Sequence, residues 1–360
     1  HLPSKALLNF VSQSSDYDIV HDDWLFSAYA YATAGYLEPL NKYMEDPELN
    51  AGLDLDDFPE TLIENMIIDG ELYGLPLYSD STFLMYRKDL FEQYGVQVPT
   101  TMEEIEEAAR LLSRDGIYGI TLRAKRGIHM IWTWSGFFVA FGGQYFDENM
   151  YPTINSPEAI EATEFYVNLV RNYCPPGATN YGWEENRIAF EQGRAAMTID
   201  ASVNAGYAED PEKSLVAGKV GYAVIPKARE YGINLSLHSL YVSRFSQNKE
   251  AAFEFIKWAT SKETQAKALQ IEPIPTSTSK YTWSLPEYAE KYSVFMDAHF
   301  ESVEKGNLAY VPTLPEVHEI YDTISVYIAE AIDGNMTVEE AMNAANDAVY
   351  EIMKEAGYYD

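Results

Sequence analysis

Apolar residues recur along this chain in two rhythms, short continuous runs and helical stripes, and the two alternate. The chain opens inside a stripe, Ala6, Leu7, Phe10 and Val11, which predicts an amphipathic helix with these four on one face. YDIVHDD (17–23) follows as a brief buried strand running into a polar loop. LPLYSDSTFLMYRKDLF (75–91) reads as a turn and then a strand around Phe83–Tyr86. In VPTTMEEIEEAARLL, Thr101 with Glu104 three residues on makes a capping box. Ile105, Ala108, Ala109 and Leu112 mark the inner face of the helix it opens. GIYGITL (116–122) predicts the next strand. Ser156 then caps a helix with Pro157 in its first position and Tyr166, Val167 and Val170 as its stripe.

Further on, AAMTIDAS, KVGYAVIP and HSLYVSRF read as strands. Asn248 caps a helix whose inner face is Ala252, Phe255, Ile256 and Ala259. Thr337 and Glu340 repeat the capping box ahead of Ala341, Ala344, Ala345 and Ala348. Strands alternating with helices in this way predict α/β layers with largely parallel sheets. A length of 360 residues exceeds what one core usually fills, so two domains are expected. No internal repeat or low-complexity linker separates them. The chain would therefore cross between them on ordinary strands, as in a hinged protein.

Charge changes this picture little but excludes a good deal. The chain carries 25 Lys+Arg against 56 Asp+Glu, a net −31, which repels phosphate backbones and argues against nucleic acid. No run approaches the roughly 18 apolar residues of a membrane span. Cys174 is the single cysteine, which excludes internal disulfides, CxxC redox chemistry and cysteine zinc sites. RNYCPPG reads as a helix end, with Cys174 as a small buried hydrophobe. Aromatics make up 14%, and their flat faces suit sugar rings as well as cores. The chain starts at His1 with no basic-then-apolar export signal, which reads as removal of a preceding segment.

Motifs for catalysis are absent. There is no G-x-x-x-x-G-K-[ST], no G-x-G-x-x-G after a strand and no G-x-S-x-G. No two histidines stand at i, i+4, and HEIYD (318–322) ends in Asp where a zinc motif needs His. DLDDF (54–58) lacks the Gly and closing Glu of a calcium loop and reads as a solvated acidic loop. Nothing local singles out two carboxylates for glycoside cleavage. An enzyme is the weaker reading.

Four segments, in order, resemble the extracytoplasmic solute-binding proteins of ABC transporters, of the carbohydrate-binding family 1 type. DGELYGLPLYSDSTFLMYRKDLFEQYGVQVPTTMEEIEEAA is similar to that family's signature region: a small strand, a Tyr-rich loop, Y-R-K-D-L-F, then P-T-T opening a helix. AFEQGRAAMTIDAS resembles its F-x-x-G-x-A-A-M segment, and SQNKEAAFEFIKWATSKETQ its N-K-E-A-A-x-x-F helix. AIDGNMTVEEAMNAA resembles its closing G-x-x-T-x-E-E-A helix. LRAKRG (122–127), the Trp-rich 132–134 and NYGWEE (180–185) are most similar to members associated with polyols and small sugars.

The resemblance implies an α/β type II periplasmic-binding-protein fold, two α/β lobes joined by three crossovers with a ligand cleft between them. By analogy the N-terminal lobe takes 1–115 and 245–305, lacking its first βαβ unit, and the C-terminal lobe takes 116–244 and 306–360. The implied function is the substrate-binding component of an ABC importer. It would capture a small sugar or polyol by hinge closure and deliver it to permease subunits. It would work outside the cytoplasm as a monomer with no cofactor and no metal. The removed segment would hold an export signal and, in a Gram-positive host, the lipid-anchored cysteine of a lipoprotein.

In such a cleft, ligands sit at strand C-termini. Asp22 and Asp23 stand just beyond a strand end, as acceptors for ligand hydroxyls or as the cap of the WLFSAYA helix. Trp24 stacks on ligand or packs in the core. Tyr78, Ser79 and Asp80 form a polar loop open to ligand contact or hinge hydrogen bonding. Arg123 follows GITL, and its planar fork suits adjacent hydroxyls, an ion pair with one of the many acids being the competing role. One of Trp132 and Trp134 is expected to reach ligand, with Trp134 the candidate, and Trp183 is the stronger stacking residue. Asp200 ends the AAMTI strand where the family carries polar cleft residues. Val203 stands where many oligosaccharide binders carry an aromatic, which favours a small ligand. His238 is a ligand contact or a buried, satisfied histidine, and Tyr310 in NLAYVPTLP lines the cleft.

Two rivals stay open. Acidic residues and −31 would also suit a polyamine or another cation. A glycan-cleaving enzyme using two carboxylates is the more distant one.

Overall fold

A computed structural model describes residues 2–271, 276–308 and 310–359. Its strands are β1 (Ile19–Asp23), β2 (Ile67–Ile68), β3 (Glu71–Leu72), β4 (Gly74–Tyr78), β5 (Thr82–Arg87), β6 (Met197–Ala201), β7 (Val220–Ala223) and β8 (His238–Val242). Contacts divide the chain into two compact units. The first takes 1–80, 236–293 and 313–317, and the second takes 81–235, 294–312 and 318–360.

In the first unit β8 is the central strand of a three-stranded sheet ordered β1-β8-β4. Both pairings are antiparallel, and they bring Asp23 and Tyr78 to opposite sides of His238. The helix Lys249–Thr260 buries Ala252, Phe253 and Ile256, with Phe253 stacked on Tyr43 at 5.1 Å. Phe255, expected on that inner face, points outward beside Trp258, and Ala259 is only half-buried. Asn248 starts the helix without a side-chain cap bond, its Nδ2 lying 3.4 Å from Asp18 instead. The opening helix Leu2–Val11 buries Ala6, Asn9 and Phe10 and leaves Leu7, Leu8 and Val11 exposed, so its expected face is rotated.

In the second unit β5 is central in a sheet ordered β6-β5-β7, again antiparallel throughout. The expectation of largely parallel sheets is corrected: among the described residues, parallel pairing is confined to isolated bridges such as Tyr118–Ala195 and Thr121–Thr198. Those bridges are what becomes of the strand expected at 116–122. Gly119 presses its backbone onto the preceding helix so closely that a Cβ there would lie 1.9 Å from the carbonyl oxygen of Ala109. The helices Ile128–Ala140 and Pro157–Tyr173 pack face to face, and Ser156 caps the second by accepting from the Ala159 N–H at 3.2 Å. Thr337 and Glu340 close both halves of their capping box. At Thr101 only one half forms, because the Glu104 carboxylate accepts from the Thr100 N–H at 2.7 Å.

The chain passes from the first unit to the second after Asp80 and back after Leu235. β5 pairs with β6 and β7, which draws 81–115 into the second unit, and β8 pairs with β1 and β4, which draws 236–244 into the first. The borders set from analogy at 115/116, 244/245 and 305/306 therefore fall at 80/81, 235/236 and 293/294, with 313–317 returning to the first unit.

Candidate functional site

In the first unit the candidate residues gather where β1 and β4 flank the start of β8. His21 and Asp23 lie two apart on β1 and so project to one face of the sheet. There the His21 ring lies 5.5 Å from that of His238 and 5.6 Å from that of Tyr78, and Tyr78 stacks on His238 at 4.4 Å. Asp23 is buried, and its carboxylate accepts three backbone N–H bonds, from Leu25 (2.9 Å), Phe26 (3.0 Å) and Leu237 (2.9 Å). It is the N-cap of the π-helical turn Trp24–Ala28 and ties that turn to the entry of β8. Burial pushes its carboxyl up to about 6, although the three amides oppose the shift. His238 Nε2 stands 4.0 Å from the Asp23 carboxylate.

Asp22 points elsewhere. It accepts from the Asp23 N–H at 2.8 Å and lies beside the Ser27 and Tyr31 hydroxyls, and burial pushes its carboxyl up to about 7. Near neutrality it is therefore both a hydroxyl donor and an acceptor. Ser79 donates to the Ser236 carbonyl at 2.6 Å, and the Asp80 N–H donates to the Ser236 hydroxyl at 2.9 Å. That pairing fixes Asp80 as a buried residue at the end of the β4 segment. Trp24 is a core residue, stacked on Tyr241 at 6.0 Å.

In the second unit the centre is a buried ion pair. Arg123 Nε lies 3.0 and 3.1 Å from the two Asp200 carboxylate oxygens, and Nη2 bonds the first of them as well. Asp200 is fully buried on β6 and also accepts from the Asn186 side-chain amide at 2.5 Å and the Ala201 N–H at 2.6 Å. Asn186 in turn accepts from the Thr121 hydroxyl at 2.7 Å and donates to Thr198 at 3.2 Å, so the segment before Arg123 is pinned to β6. Tyr166 donates to the Arg123 carbonyl at 2.7 Å. Among the described residues Arg123 Nη1 has no hydrogen-bond acceptor. The guanidinium lies over the Trp132 ring at 5.4 Å, and Trp132 meets buried Tyr310 edge to face at 5.6 Å.

Trp134 is corrected from ligand candidate to core. It is fully buried, its indole N–H donates to Thr163 at 2.9 Å, and its ring packs on Phe138 at 4.6 Å. Trp183 opens the helix Trp183–Glu191, half-buried, with its N–H donated to Asn204 at 2.8 Å. The Arg187 guanidinium lies 5.2 Å from its ring and 4.3 Å from that of Tyr207, held there by Glu191 at 2.7 Å.

Three residues escape the sequence reading. His21 had a usable signal, since strand alternation puts it on the face of Asp23. Asn186 and His129 had none. Burial, with Arg123 and Lys125 adding to it, pushes the His129 imidazole down to about 4. A Cβ on Gly182 would meet that ring at 3.1 Å, so the glycine makes room for it.

Asp200 is committed to Arg123 and Asp23 to its cap, so neither is a free acid or base. Burial pushes the Cys174 thiol up to about 12, far from a nucleophilic thiolate. Among the described residues no group of three His, Cys, Asp or Glu side chains is arranged to hold a metal ion, and no helix is long and apolar enough to cross a membrane.

Residues 2–266 match the family model described as bacterial extracellular solute-binding protein. The chain is 30% identical over 382 aligned positions to the mannitol-binding protein of Pseudomonas aeruginosa, covering 99% of this chain and 85% of that protein. It superposes on the structure of an ABC transporter solute-binding protein from Agrobacterium vitis with bound D-mannitol at a TM-score of 0.91 and 30% identity, covering 100% of this chain and 90% of that one. For the ribitol complex of such a protein from Agrobacterium radiobacter the TM-score is 0.90 and the identity 29%, with 98% and 88% covered.

Proposed function

The chain belongs to the bacterial extracellular solute-binding proteins, and on that premise we propose that it is the receptor of an ABC importer for a small polyol. It acts outside the cytoplasmic membrane, holds the ligand without altering it, and hands it to permease subunits as a monomer. The observation that carries this reading is Arg123: Asp200 takes one edge of its fork, and Nη1 keeps two N–H donors for ligand oxygens. In the same unit Trp183 supplies an apolar edge, with Asp200 acting through Arg123 and buried Tyr310 backing Trp132. In the first unit Asp22, Tyr78, Asp80 and His238 supply acceptors and ring faces. Asp23 contributes by fixing the turn after β1 rather than by contact.

The two relatives with bound D-mannitol and ribitol support an acyclic polyol, and so does the state of the indoles. Trp24 and Trp134 are in the core, while Trp132 and Trp183 have guanidinium groups over them. These four candidate indoles therefore offer a pyranose ring less open face than their number suggests. The test is thermal unfolding and calorimetry of the full chain with D-mannitol, ribitol, erythritol, maltose, spermidine and a chromogenic glycoside. Stabilisation and saturable binding by an acyclic polyol are expected. Stabilisation by spermidine alone, or turnover of the glycoside, would overturn the reading.

A further inference from the structure

Three rings from three neighbouring strands converge on one face of the first unit: His21 from β1, His238 from β8 and Tyr78 from β4. The imidazoles are tilted only 25° from parallel with centroids 5.5 Å apart. Two positive charges at that separation repel, which disfavours double protonation of the pair. β1 contributes Asp22 and Asp23, the Asp23 carboxylate being 4.0 Å from His238 but already accepting three backbone amides. β4 contributes Tyr78 and, at its end, Asp80, while the turn Trp24–Ala28 brings no charge. Partial burial, with the field of His238 adding to it and Asp23 opposing, shifts the His21 imidazole below the usual histidine range.

We propose that His21 and His238 are a paired acid sensor on the ligand-recognising face of the first unit, so that a polyol is held when both rings are neutral and released when the pair takes up a proton. The inference rests on the polyol reading above and adds its regulation. A neutral imidazole offers one ring nitrogen as an acceptor for a ligand hydroxyl and a ring face for the carbon chain. A proton removes that acceptor and draws water to the ring. The sign follows from linkage: a ligand that prefers the neutral pair lowers the pair's pKa. Affinity is then level above the pKa of the free pair and falls about tenfold per pH unit below it.

The experiment is calorimetric titration of D-mannitol into the full chain from about pH 8 to about pH 4.5. It compares the unsubstituted chain with His21→Gln/His238→Gln; Asp22 and Asp23, which also titrate in this window, are present in both, so that only the histidine contribution differs. A steeper acid-side loss of affinity is expected in the unsubstituted chain than in the double variant. Proton–carbon NMR of the histidine rings, with and without D-mannitol, reads the same linkage in the unsubstituted chain should a variant fail to fold. The ligand is expected to move the His21 and His238 midpoints to lower pH. Unchanged midpoints, or the same acid limb in His21→Gln/His238→Gln, would overturn the sensor and leave the polyol reading standing. Absence of binding by every polyol at pH 8 would overturn both.

Discussion

At the scale of single residues, the Arg123–Asp200 pair tests whether a buried charge serves stability or recognition. Removing one partner of such a pair strands the other, so Asp200→Asn is expected to cost about 3–5 kcal/mol of unfolding free energy. Replacing both by apolar residues removes that penalty, so Arg123→Met/Asp200→Leu should recover most of the loss in urea unfolding. It should nonetheless bind no polyol by calorimetry, and retained binding would make the pair purely structural. Each of these two residues is legible in the sequence, one after a run of apolar residues and one at a strand end. Their pairing is not, because nothing in local pattern says which of 56 acids meets a given arginine. Asp22 and Asp23 make the same point. Adjacent and alike in sequence, they separate because strand alternation turns one carboxylate into the cap and leaves the other beside two hydroxyls.

At the scale of elements, the helix Lys249–Thr260 shows where periodicity stops deciding. Apolar residues occupy 251–253, 255, 256, 258 and 259, so stripes through Phe253 and through Phe255 both satisfy a 3.6-residue period. The sheet chooses Phe253, which stacks on Tyr43, and leaves Phe255 with Trp258 in solvent. Phe253→Ala should therefore cost about 3–5 kcal/mol, and Phe255→Ala should stay within about 0.5 kcal/mol, both read from denaturant midpoints. Equal losses would place both rings in the core. The helix Ile128–Ala140 is apolar on nearly every side, which is why the inward turn of Trp134 was not readable. Elements with strong end signals fared better. Ser156 with Pro157 and Thr337 with Glu340 mark helix starts that the structure reproduces, since caps depend on local bonds alone.

At the scale of the whole molecule, the net charge of −31 acts on stability and on ligand choice in opposite ways that salt can separate. Repulsion among surface carboxylates opposes compact folding and is screened as ionic strength rises. The unliganded chain should unfold at higher temperature as sodium chloride rises from about 0.02 to about 0.3 M, where the screening length falls below about 10 Å. A neutral polyol feels none of that field, so its affinity over the same range should change by less than about twofold. A cation drawn in by the acids would lose affinity steeply over the same range. Calorimetry of D-mannitol and spermidine at the two salt levels therefore reads ligand class from the field of the whole chain, independently of any one side chain. A strong salt dependence for D-mannitol would mean that acids rather than the Arg123 fork govern its binding.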